Sequence, residues 1–161
     1  MKKIFEFINK NIFAINILVA VCFALYDIYT HHSSALESFI RYFMLINVGI
    51  MNIVAFFMHW RRASADKIAK GIGWQIGSPF QKEVAAADGS YGILGVLCFF
   101  FPAFWVPTAI GYAFMGFMMG IGHVWDVYKY KNKAALNAGS TMYYGLIFPI
   151  FLLVLVLVWR F

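Results

Sequence analysis

Five continuous apolar runs, separated by short polar stretches, organise this chain. They cover about residues 12–29, 38–58, 78–101, 104–127 and 141–159. Each approaches the roughly 20 residues that an α-helix needs to cross a hydrocarbon core of about 30 Å. The runs do not alternate between apolar and polar positions, as the lipid-facing strands of a barrel would. The pattern therefore predicts an all-α fold, an integral membrane bundle of about five transmembrane helices, with residues 1–161 as a single transmembrane domain.

Composition agrees with that pattern. Of 161 residues, 63% are hydrophobic and only 12% charged, and the mean hydropathy is +0.75. A soluble domain has about 45–50% apolar and about 25% charged residues. A globule this small could not hide so much apolar surface from water. In lipid it has no need to.

Charge placement adds an orientation. With the N-terminus inside, alternating spans leave Lys2, Lys3, Lys10, Arg61, Arg62, Lys67, Lys70, Lys82, Lys129, Lys131 and Lys133 on the inner side. Only Arg41 and Arg160 fall outside. Such a bias over short loops places the N-terminus in the cytoplasm and the C-terminus in the periplasm or outside the cell. The net charge of +6 then reports topology and attraction to anionic headgroups. No module presents these basic residues to a nucleic acid, so none is expected as a partner. Met1-Lys2-Lys3 before an apolar run can open a signal peptide. The run is long enough to span and no A-x-A-like site follows, so it reads as an uncleaved signal anchor. Cys22 and Cys98 read as buried, inert thiols.

The segment after the second run reads His59-Trp60-Arg61-Arg62, a short basic stretch, then GIGWQIGSPFQKEVAAAD. Gly71, Gly73 and Gly77 predict a shaped loop. Ser78-Pro79-Phe80-Gln81 has the form of a capping box, with Gln81 reaching back to the cap amide. Small residues then pattern two helices. Gln81, Ala85, Asp88, Gly92 and Gly95 share one face; Ala109, Ala113, Gly116, Gly120 and His123 share another. Such faces let backbones approach in lipid, where apolar burial no longer drives association. The short turn at Pro102-Ala103 makes these helices antiparallel neighbours, so their small faces are expected to pack on one another or on a second subunit.

Polar residues inside the spans are the functional candidates. Asp88 lies 13 residues, or about 20 Å, before Phe101, which puts it roughly 10 Å inside the cytoplasmic edge of the hydrocarbon. Asn16 and Asn52 fall near that depth, with Tyr143 and Tyr144 slightly above it. An ionisable group so deep is costly and marks function unless it serves as a structural hydrogen bond to an asparagine. His123 and Asp126 form a second pair, three residues apart. With Glu83 they would make the start of a metal set, but Glu83 sits about 140° around the helix from Asp88. Three or four converging ligands are required, so interfacial hydrogen bonding is the expected use and no metal is assigned. Outside, Glu37 and Arg41 have the spacing of a helix-stabilising pair, and His31-His32 reads as a solvated loop. Trp125, Tyr128, Tyr130 and Trp159 fit interfacial aromatic belts.

The stretches GWQIGSPFQKEVAAAD and GHVWDVYKYKNKAALNAGS resemble a group of small bacterial multi-pass inner-membrane proteins defined by a domain of unknown function. The resemblance runs from about Gly73 to the C-terminus, on Gln75, Gly77, Ser78, Pro79, Phe80, Gln81, Glu83, Asp88, Gly122, His123, Asn137 and Gly139. It implies a bacterial plasma membrane and no particular activity or cofactor.

Three function classes follow. The first is a structural or accessory protein acting through helix contacts with itself or a membrane partner. The second is an oligomeric transporter or channel subunit lined by Asn16, Asn52 and Asp88; five spans give no inverted repeat of two equal halves. The third is an interfacial enzyme or binding protein for a lipid or quinone, with Asp88 or Glu83 and His123 as its polar groups.

Overall fold

Long apolar sequences with few breakers propagate as helices, because every backbone polar group is then satisfied within its own segment. The computed structural model describes residues 2–161, with side chains from Asn11 onward. Met1 and the side chains of Lys2, Lys3 and Lys10, part of the charge bias above, lie outside the described residues. Helix α1 covers Lys2–His31 and α2 covers Ala35–Trp60. A short α3 follows at Arg62–Ile72. Then come α4 at Phe80–Phe100, α5 at Trp105–Tyr130 and α6 at Ser140–Arg160. Every one except α3 is long and apolar enough to cross a membrane, which gives the five spans predicted.

Two connections differ from expectation. The basic stretch after α2 is helical through Gly71, because Ala65, Ala69 and Ile72 give it a buried face. That burial outweighs the roughly 1 kcal/mol helix penalty of one glycine. The loop is confined to residues 73–79, where Gly73 and Gly77 do adopt positive φ, 84° and 76°. At the start of α4, the Ser78 hydroxyl accepts from the Phe80 N–H at 3.3 Å. The reciprocal arm of the capping box is not made: the Gln81 carboxamide bonds His59 on α2 instead.

The small faces find partners other than those expected. α4 packs chiefly on α2, and α5 on α6, while α4 and α5 touch much less. A Cβ on Gly95 would fall on the backbone of Gly49 in α2, and one on Gly92 would lie 2.9 Å from the Ile53 nitrogen. On α5, Gly116 faces Pro149 and Gly120 faces Leu146, both of α6. Backbones this close explain why small residues are needed there. Both glycine faces are thus occupied within the chain.

Toward the end holding the His31–Ser34 turn, the core is apolar and aromatic, with Ile40, Phe43, Met44, Trp105, Phe148 and Leu152 buried together. The Trp105 indole donates to the Cys98 carbonyl at 2.7 Å. Trp159 is not a simple belt residue: it packs edge-on against Trp105 and donates to Glu37 at 3.1 Å. Glu37 therefore serves Trp159 and does not pair with Arg41. Trp125, Tyr128 and Tyr130 are exposed at the opposite, basic end. Of the two thiols, Cys98 is buried as expected, whereas Cys22 is exposed on the outer face of α1.

Candidate functional site

Within α2 the backbone changes from α to π geometry over Met44–Ile50. Such an interruption of regular i→i+4 bonding is uncommon and often accompanies function. Its consequence here is positional. Residues five apart, such as Asn47 and Asn52, lie about 140° apart on an ideal α-helix, yet both side chains line one cavity. Asn52 is partly spent on its own helix, donating to the Val48 carbonyl at 2.7 Å. Asn47 is not: it is 0% exposed, and neither atom of its carboxamide has a hydrogen-bond partner among the described residues. An orphaned buried amide costs about 1–3 kcal/mol, so its persistence calls for an explanation.

The cavity, about 170 Å³, lies between α2, α4, α5 and α6, with Phe13 of α1 closing one side. α4 contributes Asp88, the ninth residue of that helix and so about 12 Å along it. Asp88 is 7% exposed, and its carboxyl has no hydrogen bond or ion pair among the described residues. The asparagine partner that a structural role would require is absent among the described residues. Tyr112 of α5 lies beside Asn52 and Tyr144, with Asp88 within electrostatic reach. Tyr144 of α6 neighbours Asn47, but its hydroxyl forms no bond of good geometry.

Two histidines complete the wall toward the basic end. His59 is held through Nδ1 by the Gln81 carboxamide. His123 is held through Nδ1 by Asn137 Oδ1 at 2.7 Å, and Trp74 stacks parallel to its ring. In each case a side-chain amide orients the imidazole. Such orientation by a neighbour fixes which ring nitrogen carries the proton.

Several candidates lie elsewhere. Glu83 is exposed on the outer side of α4, as its angular offset from Asp88 foreshadowed. Asn16 bonds the Met51 sulfur rather than entering the cavity. Asp126 accepts from Trp74 Nε1 at 3.3 Å and from Asn132 Nδ2 at 2.8 Å. It therefore clamps the 73–79 loop onto the 131–139 segment. Asn132 also reaches the Ile72 carbonyl at 2.8 Å. His123 and Asp126 thus do separate work, and no group of three or more metal-ligating side chains converges among the described residues. Gln81, Asp88, Asn52 and His123 are brought together as a neighbourhood, with Gln81 acting through His59.

Sequence reading missed Asn47, His59 and Tyr112 as members. It also missed Asp27, a second buried carboxylate near the far end of α1. Asp27 accepts from Ser38 at 2.7 Å and pairs with His31 at 3.2 Å. His31 is therefore a partner of the Asp27 carboxylate as well as a loop residue. The signal for Asp27 was present in the four-residue spacing to His31.

The fold and cavity define a five-span α-helical bundle with a mostly apolar chamber, set with a few polar groups, inside its basic half. The chain belongs to DUF6790, a family of unknown function, which it matches over residues 10–160. That match extends through the first two helices, beyond the Gly73-onward resemblance carried by the sequence motifs. No curated protein and no solved structure matches the chain.

Proposed function

We propose that this protein is a membrane-embedded binding protein whose internal chamber receives a small molecule or the head of an amphiphile. The observation that carries the reading is Asn47: a fully buried amide with two unsatisfied atoms, set by a π segment at the wall of a cavity. Convergent polar groups in an otherwise apolar pocket are the usual mark of a ligand site. Asp88, buried with no hydrogen bond or ion pair of its own, supplies a second group that a ligand would satisfy. The accessory reading draws on the glycine faces, and those are occupied by intramolecular contacts. In the orientation we favour, the basic end faces the cytoplasm of a bacterium, so the chamber opens in the inner leaflet of the plasma membrane.

The test is native mass spectrometry of the chain released from mild detergent. One small molecule per chain is expected on the wild type and none on Asn47→Leu, with helicity unchanged. A wild-type chain that carries nothing, under conditions that preserve lipid adducts on a control membrane protein, refutes the proposal.

A further inference from the structure

A second feature adjoins the chamber and narrows its ligand. Between α1 and α6 runs an apolar groove of about 290 Å³, lined by Ile17, Tyr143, Tyr144, Ile147, Phe148 and Phe151. Tyr144 belongs to both: its ring is also part of the chamber wall. It is held in a three-ring stack, with Phe13 at 4.3 Å on one side and Phe148 at 4.9 Å on the other. The chamber carries a few polar groups in mostly apolar walls and the groove is apolar throughout, with Tyr144 shared between them. A molecule with a small polar head and a long hydrocarbon tail matches both at once.

The head can be specified further. No Lys or Arg lines the chamber among the described residues, and Asp88 does. A phosphate head would meet a carboxyl group with no lysine or arginine to offset it, and the two imidazoles in the wall are already held through Nδ1 by side-chain amides, which disfavours ordinary phospholipids. The chamber volume is that of a single ring; an apolar cavity of about 150 Å³ accommodates benzene. Its walls suit a flat ring: the Phe13 and Tyr112 rings line it, while Met51, Met115 and Met119 offer polarisable sulfurs that pack on ring edges. Hydrogen bonding is available at separated points, from Asn47 on α2, Tyr144 on α6 and Asp88 on α4. An asparagine amide both donates and accepts, so it can serve a ring carbonyl or a ring hydroxyl.

We infer that the ligand is a lipid of the quinone or quinol type, its ring in the chamber beside Asn47 and Asp88 and its tail along the α1–α6 groove. This rests on the binding reading above. The chain's part is to hold and orient the ring.

The experiment uses the full chain in phospholipid vesicles and a benzoquinone carrying a decyl tail that ends in a photoactivatable diazirine. After illumination, adducts are mapped by peptide mass spectrometry. The expected adducts lie on Ile147, Phe151 and Ile17, and are lost when unlabelled decyl-benzoquinone is added in excess. Asn47→Leu should abolish the competable adducts although it leaves the groove intact. Ile147→Trp fills the groove at a position 65% exposed, so folding is preserved; it should move the adducts off α6. Adducts scattered over lipid-facing residues such as Ile93 and Phe114, unaffected by competitor, would overturn the inference. If native spectra then show a retained ligand of another class, the binding reading stands and only the quinone assignment falls. A bare chain removes both.

Discussion

Replacing Asn47 with leucine should make the ligand-free protein more stable, which is the opposite of what a structural asparagine would do. In the folded chain both polar atoms of Asn47 are buried without partners. Each such group costs about 1–3 kcal/mol relative to a satisfied one. Leucine removes both and has the same branched shape; its somewhat bulkier methyl groups can expand into a cavity of about 170 Å³, so overpacking is avoided. Against this stands the side-chain entropy of an ordered leucine, about 0.5–1 kcal/mol. The net expectation is a gain of about 1–5 kcal/mol, at least roughly fivefold in the folding constant. The assay is reversible unfolding in mixed micelles with increasing dodecyl sulfate, followed by circular dichroism, on protein stripped of bound lipid. With ligand present the difference should shrink, because ligand stabilises only the wild type. A loss of stability above about 1 kcal/mol in the stripped variant would mean that the amide holds the bundle together, and the reasoning would be wrong.

Other outcomes follow from the same contacts. Gly95→Ala should cost about 1–3 kcal/mol in that assay, since its Cβ would strike the Gly49 backbone. Gly122→Ala meets nothing within 4 Å and should be neutral or slightly stabilising; equal effects at the two sites would contradict the packing described. Ser38→Ala removes the 2.7 Å bond to Asp27 and should destabilise by about 1–3 kcal/mol, with ligand retention in native spectra unchanged. Glu83→Gln should alter neither stability nor retention, because Glu83 is exposed and outside the chamber; loss of the ligand in that variant would place the site elsewhere.

How far the sequence could be read depended on which geometry each feature relied on. The five spans rest on continuous apolar runs; in lipid only helices and closed barrels satisfy the backbone, and the runs lack a barrel's alternation. Asp88, Asn52 and His123 were visible because polar groups in apolar runs stand out and regular helical spacing gives depth. Asn47 was hidden by the π segment, which realigns side chains that regular spacing would separate. The glycine faces were legible as faces, but spacing on one helix says nothing of which neighbour it meets. α3 escaped notice because its buried side is only Ala65, Ala69 and Ile72, too weakly apolar to register without the surface they cover. Gln81 was assigned to a local cap, and a long-range bond to His59 won the side chain.

The most direct measurement is an experimental density map of the chain extracted with its native lipids, resolved well enough to show side chains around Asn47, Asp88 and Tyr144. The account predicts a non-protein feature between them, hydrogen-bonded to the Asn47 amide and continuous with density passing Tyr144 into the α1–α6 groove. A chamber closed by rotation of Asn47 onto a protein partner, with no feature between the helices, would contradict it.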